Sequence, residues 1–355
     1  MDKTHHKLKL YNGDHAIVME DDNIKTLGSH NYNFIFNKKN GFFVRWGKTK
    51  DDDGDLELGL PEIADIEIST VCNGVKGLCK FCYKENNPKG KNMSFETFKI
   101  ILGKLPPTVT QIALGIGNID GNPDLWKIVD YCVSKGVIPN ITINGARMND
   151  ESFDKIASFM GACAVSKYDK DVTYRAVKEL TDRGLKQTNI HFMLSEETFD
   201  DAMETLDDIK KDKRLSKLNA IVFLSLKTKG CAKTGFLQLS QDKFKQLVDK
   251  AIENNIPIGF DSCGSLKFLK AIEDRKNYES MAMMVEPCEA TIYSTYISVD
   301  GAYFPCSFCE NEDWKEGLSV IKCKDFLKDI WYNEKTINFK KRLIKCGRDC
   351  PIYKI

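Results

Sequence analysis

Hydrophobic and polar positions in the middle of the chain follow a repeating order. Short apolar runs of strand length recur six times, and each is followed by a stretch typical of a helix, with Ser94 as a start cap and Gly136 and Gly184 as stops. This alternation with short links predicts an α/β fold in which helices cover a parallel sheet. The predicted strands are residues 63–69, 110–115, 140–144, 162–166, 188–194 and 220–226. The predicted helices are 94–102, 124–135, 150–160, one that ends at 183, 198–211 and 240–255.

Polar and glycine residues stand just past the carboxyl ends of successive predicted strands. Parallel barrels place their sites at this end, so the pattern favours a partial or full barrel over an open, doubly wound sheet. We therefore predict a partial (β/α)6 TIM-type barrel over residues 59–257. The residues at the strand ends are Cys72, Gly117, Asn118, Asn144, Gly145 and Ser166.

The two ends of the chain differ from this middle part. Residues 1–58 contain three alternating runs, at 15–19, 32–36 and 41–46, followed by an acidic, solvated link at 48–55. They predict a small N-terminal β region that either closes the barrel or offers a sheet edge to a peptide strand. Residues 258–355 predict a cysteine-rich α+β domain, in which Asp300-Gly301 marks a hairpin.

Composition excludes several classes of protein. The 355 residues are 42% hydrophobic, which is ample for a core, and 52 basic side chains balance 51 acidic ones. A general nucleic-acid or membrane-surface binder would have a basic surplus. The chain has no apolar run near the ~20 residues of a membrane helix and no apolar signal-peptide core at its start. We therefore expect a cytoplasmic protein without membrane partners.

Thirteen cysteines then require an explanation. In a reducing cytosol, metal binding is a better default than a disulfide framework. Cys72, Cys79 and Cys82 lie on one loop after the first predicted strand. Three thiolates can hold three irons of a cubic iron–sulfur cluster and leave the fourth iron open. The alternative is structural zinc, which requires four ligands and often two Cys-x-x-Cys pairs, whereas this loop has one pair.

With this loop and its six strand–helix units, the chain resembles the radical S-adenosylmethionine (SAM) enzymes over roughly residues 60–255. The usual family spacing is Cys-x3-Cys-x2-Cys; here the first gap is six residues, and the second gap, Phe81 and Tyr83 agree with the family. The resemblance implies that the three cysteines bind a [4Fe-4S] cluster whose open iron binds SAM, with Phe81 and Tyr83 beside it.

The resemblance also implies other SAM contacts. The family's second strand usually ends in Gly-Gly-Glu-Pro, which holds the amino group of the SAM methionine. Here Gly117 and Asn118 occupy this position, and Asn118 supplies a neutral contact unless Asp120 provides the charge. Three further positions have both a cofactor-binding and a structural interpretation. Asn144 is either part of the family's Asn-Gly or a simple turn, and Ser166 is either a SAM contact or a helix cap. His191 is either a histidine that faces the barrel interior or one that belongs to the core.

The tail resembles the SPASM domain, or its shorter form Twitch, which carries auxiliary iron–sulfur clusters. Gly301 and Cys306 match the domain's Gly-x4-Cys, but its compact Cys-x2-Cys-x5-Cys run is missing. We therefore expect one auxiliary [4Fe-4S] cluster, with zinc as the alternative. The expected ligands are Cys263, Cys288, Cys306 and Cys350. Cys309 and Cys346 are close substitutes, and the role of Cys323 is open.

The resemblance implies that the protein cleaves SAM reductively to a 5′-deoxyadenosyl radical, which abstracts hydrogen from a substrate. Family members with this auxiliary domain often modify ribosomally made peptides or proteins, so a peptide or protein substrate and an external electron donor are the expected partners. Radical chemistry on a small molecule or nucleotide is the alternative within the family. A zinc-stapled binding protein is the alternative outside it.

Overall fold

The computed structural model describes residues 4–49, 55–353 and 355, so most of the predicted acidic link lies outside the described residues. An antiparallel sheet of five sequential strands forms the N-terminal region. Its alternation is that of a half-buried sheet: Val18 and Phe34 are fully buried, whereas Ile17 and Met19 are exposed. The strands are β1 (Thr4–Lys9), β2 (His15–Glu20), β3 (Ile24–Gly28), β4 (Asn33–Asn37) and β5 (Phe43–Trp46).

A parallel sheet covered by helices forms the middle of the chain and confirms the predicted strand–helix order. Its strands are β6 (Ile63–Glu67), β7 (Gln111–Gly115), β8 (Ile138–Ile143), β9 (Cys163–Ser166), β10 (Thr188–Leu194), β11 (Ala220–Ser225) and a short seventh strand, β12 (Ile258–Phe260). The helices are α1 (Phe95–Lys104), α2 (Leu125–Ser134), α3 (Asp150–Phe159), α4 (Lys170–Asp182), α5 (Phe199–Lys211) and α6 (Gln241–Glu253). Ser94 caps α1 as predicted, because its hydroxyl accepts a hydrogen bond from Thr97 N at 3.2 Å.

The tail contributes strands to both edges of this sheet. β12 pairs with β11, and β13 (Ser294–Ile297) lies parallel to β6. The predicted hairpin is present as β13 and β14 (Ala302–Phe304), and β15 (Leu318–Ser319) follows it. The edge strands β12 and β15 are not paired with each other in the described residues, so the barrel is partial. The helical segments are α7 (Ser265–Ala271), α8 (Tyr278–Ala282), a π-helical turn (Leu327–Trp331) and α9 (Glu334–Lys345).

The N-terminal sheet covers the amino end of the barrel. Glu62, just before β6, accepts hydrogen bonds from Tyr32 Oη at 2.5 Å and from Arg45 Nε at 2.8 Å. Lys25 Nζ donates to the carbonyl of Val109, just before β7, at 2.8 Å. The sheet therefore lies at the end of the barrel opposite the strand ends that carry the cysteine loop. The peptide-edge role and the division at residues 58 and 257 stay predictions.

None of the helices in the described part of the chain combines the length and the apolar character needed to span a bilayer.

Candidate functional site

The cysteine loop leaves the carboxyl end of β6, and its three thiols are half-buried and free of disulfides. Burial raises the pKa of Cys72, and it raises the pKa of Cys79 to about 12; the nearby Cys82 thiol adds to both shifts. The Cys72 and Cys79 thiols are therefore protonated at neutral pH until a metal displaces their protons. In the described residues, no three Cys, His, Asp or Glu side chains are gathered closely enough to hold a single metal ion. A cubic cluster binds each thiolate through a different iron, whereas one zinc ion needs all of its ligands around a single point.

Gly117 and Asn118 hold the loop from the end of β7. A Cβ on Gly117 would lie 2.6 Å from Cys72 Cβ and 2.9 Å from its Sγ, so only glycine permits this approach. Asn118 is 1% exposed; its Oδ1 accepts from Asn73 N at 2.6 Å, and its Nδ2 donates to Gly74 O at 3.1 Å. Both ends of the amide are thus bonded to the loop backbone. The predicted contact of Asn118 with the SAM amino group stays a prediction.

The alternative source of charge, Asp120, pairs with Arg147 at 2.7 Å on the surface. Asn144 forms a local turn, because its Oδ1 accepts from Ala146 N at 3.0 Å. The cap of α4 is Asp169, which accepts from Val172 N at 3.1 Å, so the capping interpretation of Ser166 is wrong.

His191 faces the interior of the barrel. Its neighbours Ile190 and Phe192 are at most 2% exposed and point toward the helices, so His191 points the other way. Burial lowers the pKa of His191 to about 4, against a smaller opposing effect of Asp261. The imidazole is therefore neutral at pH 7.

Two aromatic residues of the cysteine loop, Phe81 and Tyr83, pack against aromatic rings outside it. The ring of Phe81 lies 5.7 Å from Tyr168 and 5.5 Å from Phe236. The ring of Tyr83 stacks 4.2 Å from Phe308 in the tail. The Tyr168 side chain also lies close to Cys79 and partly offsets the rise in the Cys79 pKa. Sequence reasoning missed Tyr168, whose only signal is its place two residues past β9.

The four expected tail ligands lie near one another. Burial raises the pKa of Cys263, and the neighbouring Cys288 and Cys306 thiols add to the shift. Burial raises the pKa of Cys288 to about 12, with further contributions from Cys306 and Cys350. One thiol changes the pKa of another only when the two are close, so the four thiols lie in one region, between the α6–α7 connection and the C-terminal turn. Their arrangement suits a group that takes one thiolate from each of four segments.

The substitute ligands differ in position. Cys309 Sγ is 3.5 Å from Cys306 Sγ, and its hydrogen bond lowers the pKa of Cys306. Cys323 is buried, and its thiol donates to Val320 O at 3.1 Å. Cys346 is exposed and bonds Leu343 O at 3.2 Å. Cys309 therefore borders the group of four, whereas the other two thiols bond to carbonyls of their own segments.

Two lysines at the mouth of the barrel, its carboxyl end, form ion pairs and a cation–π contact with residues of the tail. Lys84, two residues past Cys82, pairs with Glu67 at 3.2 Å and with Glu310. Lys227, after β11, pairs with Asp261 and lies 4.7 Å from the Phe308 ring centroid. Sequence reasoning missed these bridges, because each partner is distant along the chain.

Cys231 was also missed. Its backbone N–H donates to Cys82 O at 3.0 Å, and its exposed thiol contributes to the raised pKa of Cys79. A Cβ on the preceding Gly230 would lie 2.6 Å from Cys82 O and Tyr83 O, so the two segments are in close contact. A fourth thiol thus lies beside the three predicted ones.

No protein-family model matches the chain, and a comparison with curated proteins also finds no match. Solved structures do match. SuiB of Streptococcus suis, 14% identical, aligns over 90% of this chain and 89% of its own with a TM-score of 0.66. SuiB bound to its precursor peptide SuiA gives 0.67 at the same identity and coverage. The protein anSMEcpe with bound AdoMet and Cp18Cys peptide is 15% identical over 82% of this chain and 87% of its own, with a TM-score of 0.57. These likenesses confirm the predicted architecture: the chain has the fold of the radical SAM enzymes that its sequence resembles.

Proposed function

We propose that this protein is a radical SAM enzyme that modifies a peptide or protein. The observation that carries the proposal is the group of three half-buried thiols on one loop, packed against Gly117 at the carboxyl end of a partial barrel. The matched structures support the substrate class, since SuiB binds a precursor peptide and anSMEcpe binds AdoMet and a peptide.

In this proposal Cys72, Cys79 and Cys82 hold a [4Fe-4S] cluster. When bound and reduced by an external donor, the cluster would supply the electron that cleaves SAM to a 5′-deoxyadenosyl radical. The chain's own residues orient the loop and keep water out. Asn118 fixes the loop backbone through both ends of its amide, and the rings of Phe81 and Tyr168 cover one flank.

The tail thiols Cys263, Cys288, Cys306 and Cys350 are the proposed ligands of one auxiliary cluster. Four protein ligands would leave no open iron, so this cluster would serve electron transfer or shape the substrate pocket. Lys84 and Lys227 would fix its domain against the barrel mouth through their carboxylate partners.

The test is anaerobic reconstitution with iron and sulfide, followed by dithionite and SAM. We expect ~8 irons per chain and release of 5′-deoxyadenosine. Cys82→Ser should lose ~4 irons and all SAM cleavage, whereas Cys231→Ser, a matched change in an adjacent thiol, should keep both. Intact SAM cleavage in Cys82→Ser would contradict the proposal. About 4 irons per chain in the wild type would contradict the auxiliary cluster but not the proposed SAM cleavage.

A zinc-stapled binding protein is the second candidate, because Cys231 brings a fourth thiol near the three on the loop, and four is the number of ligands that structural zinc requires. Zinc without labile sulfide, lost in both Cys82→Ser and Cys231→Ser, would favour this candidate. An enzyme acting on a small molecule would cleave SAM but would not bind a precursor peptide encoded beside its gene. The cytoplasmic location and the electron donor stay predictions.

A further inference from the structure

We infer that Asp65 binds a cationic side chain of the substrate, a lysine or an arginine, inside the barrel. The inference rests on the proposed function and names the chemistry by which the substrate is recognised.

The strand geometry turns Asp65 inward. On β6, Ala64 and Ile66 have no exposed surface and pack toward the helices, so Asp65 lies on the opposite face. Its neighbour in register on β7 is Ala113, and the next inward position on β7 is Gly115. On the β7 side these small residues leave room for a side chain that enters from the mouth. On the β13 side the register neighbour is Tyr296, whose hydroxyl donates to Glu67 at 3.1 Å.

The carboxylate faces open space. The Asp65 side chain is exposed, although barrel atoms surround it on all sides and raise its pKa to about 6 by burial. Tyr168 behaves in the same way: it is 45% exposed, and burial raises its pKa. Exposure within a protein-rich setting indicates a cavity in the barrel interior beside Asp65 and a similar concave surface beside Tyr168.

Asp65 is the carboxylate of this cavity that lacks a partner. Among the described residues, it makes no ion pair and no hydrogen bond, whereas Glu67 pairs with Lys84 at 3.2 Å and Asp261 pairs with Lys227. An ionised group enclosed by protein and left unpaired is unfavourable. A substrate ammonium or guanidinium group would restore the missing pair. A neutral group of equal size would not.

The position also suits the proposed chemistry. The carboxylate of Asp65 lies close enough to Tyr83, the residue after Cys82, to contribute to its raised pKa. A cation held by Asp65 would therefore lie beneath the cysteine loop, and the carbons of its side chain would lie near the proposed radical.

The test uses the reconstituted holoenzyme with SAM and two pentapeptide probes, both acetylated at the N-terminus and amidated at the C-terminus: Gly-Gly-Lys-Gly-Gly and the same peptide with norleucine, whose side chain has no charge. Binding is measured by ligand-observed NMR at pH 7.5. We expect the wild type to prefer the lysine peptide by roughly tenfold or more, and Asp65→Asn to bind both peptides equally. Asp300→Asn, which removes an exposed carboxylate paired with Lys91, should keep the preference.

Equal binding of the two peptides to the wild type would overturn the inference without any variant. An unchanged preference in Asp65→Asn would also overturn it. Release of 5′-deoxyadenosine with dithionite and SAM alone is measured in parallel. If the wild type cleaves SAM but shows no preference, the inference fails alone; if it cannot cleave SAM, the proposed function fails.

Discussion

The two ends of the barrel contain similar polar residues but differ in how those residues are paired. At the amino end, Arg45 forms two hydrogen bonds with Glu62, at 2.8 and 2.9 Å, and its guanidinium lies 3.4 Å from the Tyr293 ring centroid. At the carboxyl end, the three loop thiols form no disulfide, and Asp65 forms no ion pair or hydrogen bond among the described residues. A buried charge that is fully paired holds the fold together, whereas groups left unpaired at the other end are available to ligands.

The largest effect on stability is expected from breaking the amino-end pair. Arg45→Leu leaves the Glu62 carboxyl 2% exposed and without its cation, so the free energy of unfolding should fall by about 3–5 kcal/mol. The measurement is urea unfolding of the apoprotein. The double variant with Glu62→Leu should recover much of the loss. A loss below about 1 kcal/mol in the single variant would show that the Arg45–Glu62 pair contributes little to the stability of the fold.

A pH-dependent effect of intermediate size is expected from Lys340 on α9. It is 1% exposed, its Nζ lies 3.3 Å from the carbonyls of Glu57 and Gly59, and burial lowers its pKa to about 7. The unfolded chain keeps this proton until about pH 10.5, so wild-type stability should rise from pH 7 to 10.5. Lys340→Met removes the penalty.

At pH 6, Lys340→Met should be more stable than the wild type by on the order of 2–4 kcal/mol, and the gain should vanish near pH 10. Urea unfolding at pH 6, 8 and 10 checks this. A gain of the same size at all three pH values would mean that packing rather than charge is responsible.

A smaller effect, at the carboxyl end, is expected from Gly117→Ala. The added Cβ forces Cys72 to move, so the apparent affinity of the reconstituted protein for SAM should fall roughly tenfold, or about 1.4 kcal/mol. Gly103→Ala is the matched control: nothing lies within 4 Å of its added Cβ, and alanine should stabilise α1 by about 0.5–1 kcal/mol. Equal SAM affinity in the two variants would contradict the close approach.

The smallest effect is expected from Asp65→Asn on stability. Because burial raises the Asp65 pKa from 3.8 to about 6, ionisation weakens the fold progressively between these pH values. Water in the cavity screens the carboxylate, so the variant should gain only about 1 kcal/mol at pH 8 and nothing at pH 3. Urea unfolding at both pH values measures it. A variant that is less stable at pH 8 would mean that Asp65 has a partner within the fold.

The sequence alone predicted the features that depend on residues close together along the chain. The strand–helix order, the Ser94 cap and the hairpin at Asp300-Gly301 all follow from local pattern. β12 was missed because three residues carry too little pattern, and β1 because its residues are mostly polar and exposed.

Long-range contacts could not be predicted in this way. Cys231 reaches Cys82 across about 150 residues of chain, and Tyr83 reaches Phe308 across more than 220. From the sequence, Asp65 is one polar residue in a strand, because nothing local indicates that the folded chain leaves its carboxylate unpaired. Its significance depends on the fold that encloses it.

The pairing of β13 with β6 has a consequence for the order of folding. Thr295 lies opposite Ala64, so the first barrel strand obtains its second hydrogen-bonded neighbour from a segment more than 200 residues later. Contacts of such sequence separation form slowly and late. During synthesis, a chain that has completed its six strand–helix units therefore still has an open edge at the strand leading into the cysteine loop. That edge closes only once the tail has emerged from the ribosome, so the segment that completes the cysteine-rich domain also completes the barrel.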